Sequence, residues 1–246
     1  MKYVKWRKTA ERPGDPSLST LGHRQARSTG SFLDNLFSKE GINARNIKLL
    51  SSPFLRCVQT SNEIISELKS TSGNAPDTLH IQPEYCIFEC DFLSGDWHSS
   101  LPQMSERKCY FPRLDETYQS IFVPPLPETR ETFLSRCDKT MKELNKAHTY
   151  RPNSVIIIVT HAACCIGITK SATGLKLDEI NAAAPCGIFK LVRSANVETW
   201  NIDRYDVKEG MNGYVDHLDD IGDKTIPWNH FGPRNDGGDG YTGPIK

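Results

Sequence analysis

Val155-Ile156-Ile157-Ile158-Val159-Thr160-His161-Ala162 decides how this chain folds. Five consecutive β-branched apolar residues favour an extended strand, because branching at Cβ restricts χ1 in a helix and packs well on a pleated surface. The run is apolar throughout and does not alternate. Both of its faces are therefore expected in the core, as in a central strand with helices above and below. Thr160 and His161 close the strand, and Ala162 to Ala172 reads as a helix stopped by Gly174. His161 then lies at the carboxyl end of a strand, where open parallel sheets hold their ligands.

The same order recurs upstream. Ile47 to Ser51 reads as a buried strand, with Ser52 expected as the N-cap and Pro53 in the first turn of the next helix. Leu55, Val58, Ile65 and Leu68 supply that helix's apolar face. Ser19 to Phe37 and Glu131 to Ala147 are helices by period, the latter with Phe133, Leu134, Cys137, Met141 and Leu144 on one face. Strands near Leu79 to Gln82, Gly187 to Val192 and Val197 to Ile202 complete an α/β alternation. The expected fold class is α/β, a three-layer α/β/α sandwich on a mostly parallel sheet. Residues 1–205 are expected to form the domain and 206–246 a C-terminal extension. Its Gly- and Asp-rich end, 232–246, is expected to be disordered.

Composition narrows the function classes. The 246 residues carry 30 Lys+Arg against 30 Asp+Glu. That balance argues against a nucleic-acid binder driven by charge, so no direct nucleic-acid partner is expected. The longest apolar run falls far short of the roughly 20 residues a bilayer needs, so no membrane partner is expected either. Met1 to Arg12 is basic without an apolar core, so no signal peptide is read there. The eight cysteines show no Cys-x-x-Cys and no zinc spacing. Buried reduced thiols in a cytoplasmic or nuclear protein, with no metal and no organic cofactor, are the expectation.

Three residues carry candidate chemistry. Arg56, in Ser51-Ser52-Pro53-Phe54-Leu55-Arg56, falls in a first helical turn, where free N–H groups and a guanidinium together suit a phosphate; Ser52 joins it as a phosphate-binding candidate. His161 is placed over the same crevice. Glu89, in Cys86-Ile87-Phe88-Glu89-Cys90, is a carboxylate among apolar neighbours, and burial would suit it to protonate a leaving alcohol. A salt-bridged surface arginine, a satisfied core histidine and a loop carboxylate are the bland alternatives for the three.

Taken in order, the motifs resemble the histidine phosphatase, or phosphoglycerate mutase-like, superfamily. Gly14-Asp15-Pro16-Ser17-Leu18-Ser19 with Leu21, Gly22, His23, Gln25 and Ala26 is similar to the segment after its first strand. Ser51-Ser52-Pro53 with Arg56, Gln59 and Thr60 is similar to its second motif. Phe88-Glu89 stands where its acid follows, and Glu128-Thr129 with Phe133 and Arg136 is similar to its Glu-Ser helix. Val159-Thr160-His161-Ala162 resembles its last catalytic motif, and Pro185-Cys186-Gly187 a stretch near its final strands. The overall look is that of the eukaryotic branch containing the suppressors of T-cell receptor signalling.

The resemblance implies a phosphoric monoester hydrolase working through phosphohistidine, with Arg56 and His161 clamping the phosphoryl oxygens and Glu89 as the acid. It also implies a nucleophile in an Arg-His-Gly motif ahead of Asp15, and no Arg-His-Gly occurs in the sequence. Either the first strand is lost or the form is N-terminally shortened, with Tyr3, Val4 and Trp6 as a partial substitute. Three readings stay open: an enzyme acting on a phosphorylated small molecule or phosphoprotein, a catalytically inactive phosphate-binding module, and a scaffold. Met211–Leu218 and Trp228–Phe231 faintly resemble a segment in a subunit of the RNA polymerase III initiation factor complex. They mark the extension as a candidate protein-binding element. The Pro-rich insert from Leu93 to Pro127 reads as a lid, with Cys109, Tyr110 and Phe111 as candidate lining.

Overall fold

The computed structural model describes residues 14–69, 79–90, 103–147, 153–180, 182–194 and 199–203, together with 214–215 and 226–227. Helix α1 (Thr20–Lys39) starts at Ser19, whose hydroxyl accepts from the Gly22 N–H. Strand β1 (Ile47–Ser51) runs into α2 (Leu55–Glu67), and β2 (Ile81–Pro83) into a 3-10 turn at Tyr85–Ile87. The short α3 (Met104–Lys108) and the long α4 (Arg130–Ala147) precede β3 (Val155–Val159) and α5 (Ala162–Thr173). Gly174 ends α5 at φ 74°, a left-handed position that favours glycine, and α6 (Leu177–Ile180) follows. The Ser19, Glu131 and Gly174 boundaries expected from sequence thus hold to within a residue or so.

Strands β2, β1 and β3 form a parallel sheet in that order, with Ser51 opposite both Pro83 and Val159. Side chains alternate between its two faces. Leu49, Ile81, Val155, Ile157 and Val159 pack with Leu33, Phe37, Val58 and Ile65 of α1 and α2. Leu50, Ile156 and Ile158 pack with Phe133, Leu144 and Ile166 of α4 and α5. These are the three layers read from the sequence.

Three details differ from expectation. Val155 to Ile158 are only half-buried, and Val159 alone is buried. Ser52 is not a helix cap: its N–H still follows the sheet, donating to the Val159 carbonyl, and Phe54 takes the N-cap position without a side-chain bond. Gly187 to Val192 is two short strands, β5 (Ile188–Phe189) and β6 (Leu191–Val192). They pair antiparallel with β8 (Tyr214–Val215) and β7 (Asn201–Ile202) respectively, while β4 (Ala182–Ala183) pairs with β9 (Ile226–Pro227).

One described stretch of the insert runs along the sheet. Arg113 and Asp115 bond both backbone groups of Ile81, which adds Leu114 to the outer edge of β2. Tyr110 is 82% exposed and Cys109 exposed, whereas Phe111 packs beside α1 and α2. The candidate first strand at 1–8, the 93–102 part of the insert, the 232–246 tail and most of the C-terminal segments at 211–218 and 228–231 lie outside the described residues. Among the described residues no helix is long and apolar enough to cross a membrane.

Candidate functional site

Parallel pairing of β1 with β3 in register brings their carboxyl ends side by side, and the two polar tips meet there. Ser52 Oγ lies 2.8 Å from His161 Nε2. Arg56, in the first turn of α2, turns its guanidinium to the other ring nitrogen, with Nη2 at 3.0 Å from His161 Nδ1. Phe54 supports both, with Arg56 4.7 Å above its ring and His161 edge-on at 5.2 Å between centroids. The cap that Ser52 does not provide comes from Asp15, whose Oδ1 accepts the Leu55 N–H at 2.6 Å while Oδ2 accepts from the buried Arg107. That carboxylate ties the segment before α1 to the turn that presents Arg56.

Glu89 completes the cluster from a third direction. Its Oε2 is 3.2 Å from Arg56 Nη2 and 3.2 Å from His161 Nδ1, and its Oε1 accepts the Cys90 N–H at 3.2 Å. The strap carrying it is fixed from behind. Arg136 Nη1 donates to the carbonyls of Cys86 and Phe88 at 2.9 and 3.1 Å, and Thr160 Oγ1 to that of Ile87 at 2.5 Å. Arg136 is held in turn by both carboxylate oxygens of buried Glu128, at 2.6 and 2.8 Å.

Opposed charges set the protonation states. Burial disfavours ionised Glu89, but the charge and hydrogen bond of His161, and then Arg56, outweigh it and hold the carboxyl down at about 2. Burial likewise favours a neutral His161, but the potential of Cys57 and Glu89 wins over burial and Arg56 and lifts the ring to about 9. A ring raised to about 9 favours its protonated form near neutral pH, with Nδ1 facing Glu89 and Arg56 and Nε2 facing Ser52. The cluster is thus two basic side chains bridged by one carboxylate at the carboxyl ends of parallel strands, where open sheets hold their ligands.

All four residues expected from the sequence, Ser52, Arg56, Glu89 and His161, therefore come together. Cys57, one position past Arg56, was missed: its Sγ lies 3.6 Å from His161 Nε2. Of the three histidines among the described residues, His161 alone lies in this crevice. His23 pairs with Glu63 at 2.9 Å, and His80 lies near Asp115. Among the described residues no group of His, Cys, Asp and Glu is arranged to hold a metal ion.

The model of the histidine phosphatase superfamily, branch 1, matches residues 4–205. The chain belongs to the histidine phosphatase superfamily. Its curated relatives include ubiquitin-associated and SH3 domain-containing protein A of Homo sapiens, 30% identical over 187 residues, which is 73% of this chain and 25% of that protein. The Mus musculus protein is 29% identical over 194 residues, covering 73% and 27%. The chain thus spans about a quarter of the length of these relatives, which bear out the resemblance to the suppressor-like branch of the superfamily. Among solved structures, the ecdysone phosphate phosphatase from Bombix mori in complex with tungstate superimposes with a TM-score of 0.50. It is 20% identical, over 81% of this chain and 67% of that one, and shares the phosphatase fold.

Proposed function

We propose that the crevice binds the phosphoryl group of a phosphorylated small molecule or phosphoprotein. In this reading the Arg56 guanidinium and the His161 imidazolium hold phosphoryl oxygens, the N-terminal turn of α2 adds its partial positive charge, and Ser52 orients the imidazolium. Glu89 is the group within reach of a leaving oxygen. The observation that carries the reading is the convergence of Arg56 Nη2 and His161 Nδ1, 3.0 Å apart, at the carboxyl ends of β1 and β3.

Binding and hydrolysis separate here. The superfamily's phosphohistidine chemistry needs a nucleophile from Arg-His-Gly, and this 246-residue sequence contains none. Phosphate binding at the described crevice is therefore the part of the reading that the geometry supports, and hydrolysis is the part that an assay decides. Hydrolysis of an aryl phosphate and phosphate-induced thermal stabilisation, measured together, test this. Slow or absent turnover with a raised melting temperature supports the reading; phosphate at about 100 times its dissociation constant adds about 2.7 kcal/mol. Fast turnover lost in His161→Ala and Arg56→Ala would make the chain an efficient enzyme instead. No stabilisation and no turnover would leave neither function at this crevice.

A further inference from the structure

One carboxylate oxygen fills the point at which Arg56 and His161 converge. Glu89 Oε2 is 3.2 Å from each of two nitrogens that are themselves 3.0 Å apart. This is the contact set a phosphoryl oxygen would make. Glu89 Oε1 is held separately, by the backbone N–H of Cys90 at 3.2 Å and its thiol at 3.6 Å, so the carboxylate can let go of the cations while its strap stays in place.

Resting on the phosphate-binding reading, we propose that Glu89 is a built-in competitor for the ligand's anion: the incoming phosphoryl group displaces its carboxylate from Arg56 and His161, and the displaced carboxyl takes a proton from the buffered solution. No bond to phosphorus forms or breaks in this step, and the proton passes from the acid form of the buffer to a Glu89 oxygen, leaving the buffer's conjugate base. A protonated carboxyl beside an ester oxygen is the state that could protonate a leaving alcohol, so the ligand itself arms the acid.

The groups facing Glu89 make this consistent. They are Arg56 from α2, His161 from the tip of β3, Cys90 from its own strap and Cys165 from α5. Burial pushes the carboxyl up, and His161 and Arg56 are the main influences that hold it down. An anion that takes those two partners removes them and adds negative charge alongside, so the carboxyl climbs out of its low range. With Glu89 protonated, the two cations balance a dianion.

Tungstate tests this, since it is a tetrahedral dianion with no proton of its own near neutral pH. Its binding to the full chain is measured by calorimetry in buffers of different ionisation enthalpy, which counts protons. The wild type is expected to take up about one proton per tungstate. Glu89→Gln is expected to take up none and to bind at least about tenfold tighter. Wild-type binding without uptake, uptake persisting in Glu89→Gln, or weaker binding by that variant would overturn the proposal while leaving the phosphate site intact. Should neither protein bind tungstate, the phosphate-binding reading falls as well. If Glu89→Gln fails to fold, Glu89→Ala takes its place with the same expected loss of proton uptake, read beside the wild-type proton count.

Discussion

Arg56 and His161 lie 105 residues apart in the chain, and Nη2 of one stands 3.0 Å from Nδ1 of the other. Two cationic groups tolerate that approach because Glu89 bridges them at 3.2 Å on each side. The triad therefore leaves a signature in stability against pH. His161 is raised from 6.5 to about 9, so its contribution is complete below 6.5 and lost as pH rises through about 9. Glu89 is lowered from 4.5 to about 2, so its contribution is complete above 4.5 and lost as pH falls towards 2. The wild type should exceed Glu89→Gln in stability most between pH 4.5 and 6.5, with the gap closing on both sides. Denaturant unfolding of both proteins from about pH 3 to about pH 9 checks it, and a gap that stays constant over that whole span would contradict it.

Arg136 is the support behind the acid. It is buried, bidentate to Glu128 and bonded to two carbonyls of the Glu89 strap. Arg136→Met strands the Glu128 carboxylate, and removing one partner of a buried pair costs about 3–5 kcal/mol. Chemical denaturation should show that loss. The Glu89 strap should also loosen, which amide exchange at Cys90 reads directly.

Asp15 holds two elements with one carboxylate, capping α2 at Leu55 and pairing with buried Arg107. Asp15→Ala leaves a buried guanidinium unpaired and the helix uncapped, and should cost about 3–5 kcal/mol in denaturant unfolding. The Nε and Nη1 of Arg107 already lack partners, so the loss should not be made good locally. Asp15→Asn, which keeps the acceptor at Leu55, should recover the cap's share alone.

Two glycines set how closely helices approach. A Cβ on Gly30 of α1 would fall 2.8 Å from the Ile64 carbonyl oxygen and 2.9 Å from its Cα, both backbone atoms of α2. On Gly167 of α5 it would meet the Cys137 side chain at 2.6 Å. Gly30→Ala must push α1 off α2, and about 1–3 kcal/mol or more of overpacking cost is expected. Gly167→Ala meets a thiol that can rotate and should cost less. Melting temperatures of the two variants give the order.

The sequence made the sheet legible where chemistry was local. Val155 to Val159 is strand by composition, and the polar residues closing it and β1 mark the ligand edge. Distance along the chain hid the rest. Nothing in Asp15 signals that it caps a helix forty residues on, so Ser52, the nearer capping type, was the natural but mistaken reading. Glu89 was legible as a carboxylate among apolar neighbours, but the upward shift expected from its burial is reversed by His161 and Arg56, which hold it at about 2. Its bridge between Arg56 and His161 depends on a strap folded back by Arg136, which no spacing encodes. Half-burial of Val155 to Ile158 was illegible for a different reason, since it depends on what packs over the strand and not on the run itself.

Binding of inorganic phosphate by wild type, Arg56→Met and His161→Ala, measured by titration calorimetry with each fold verified by circular dichroism, tests the central claim most directly. The wild type should bind one phosphate, and either substitution should weaken it at least about tenfold through loss of a charge-assisted hydrogen bond. Folded variants that bind phosphate as tightly as the wild type would contradict the account.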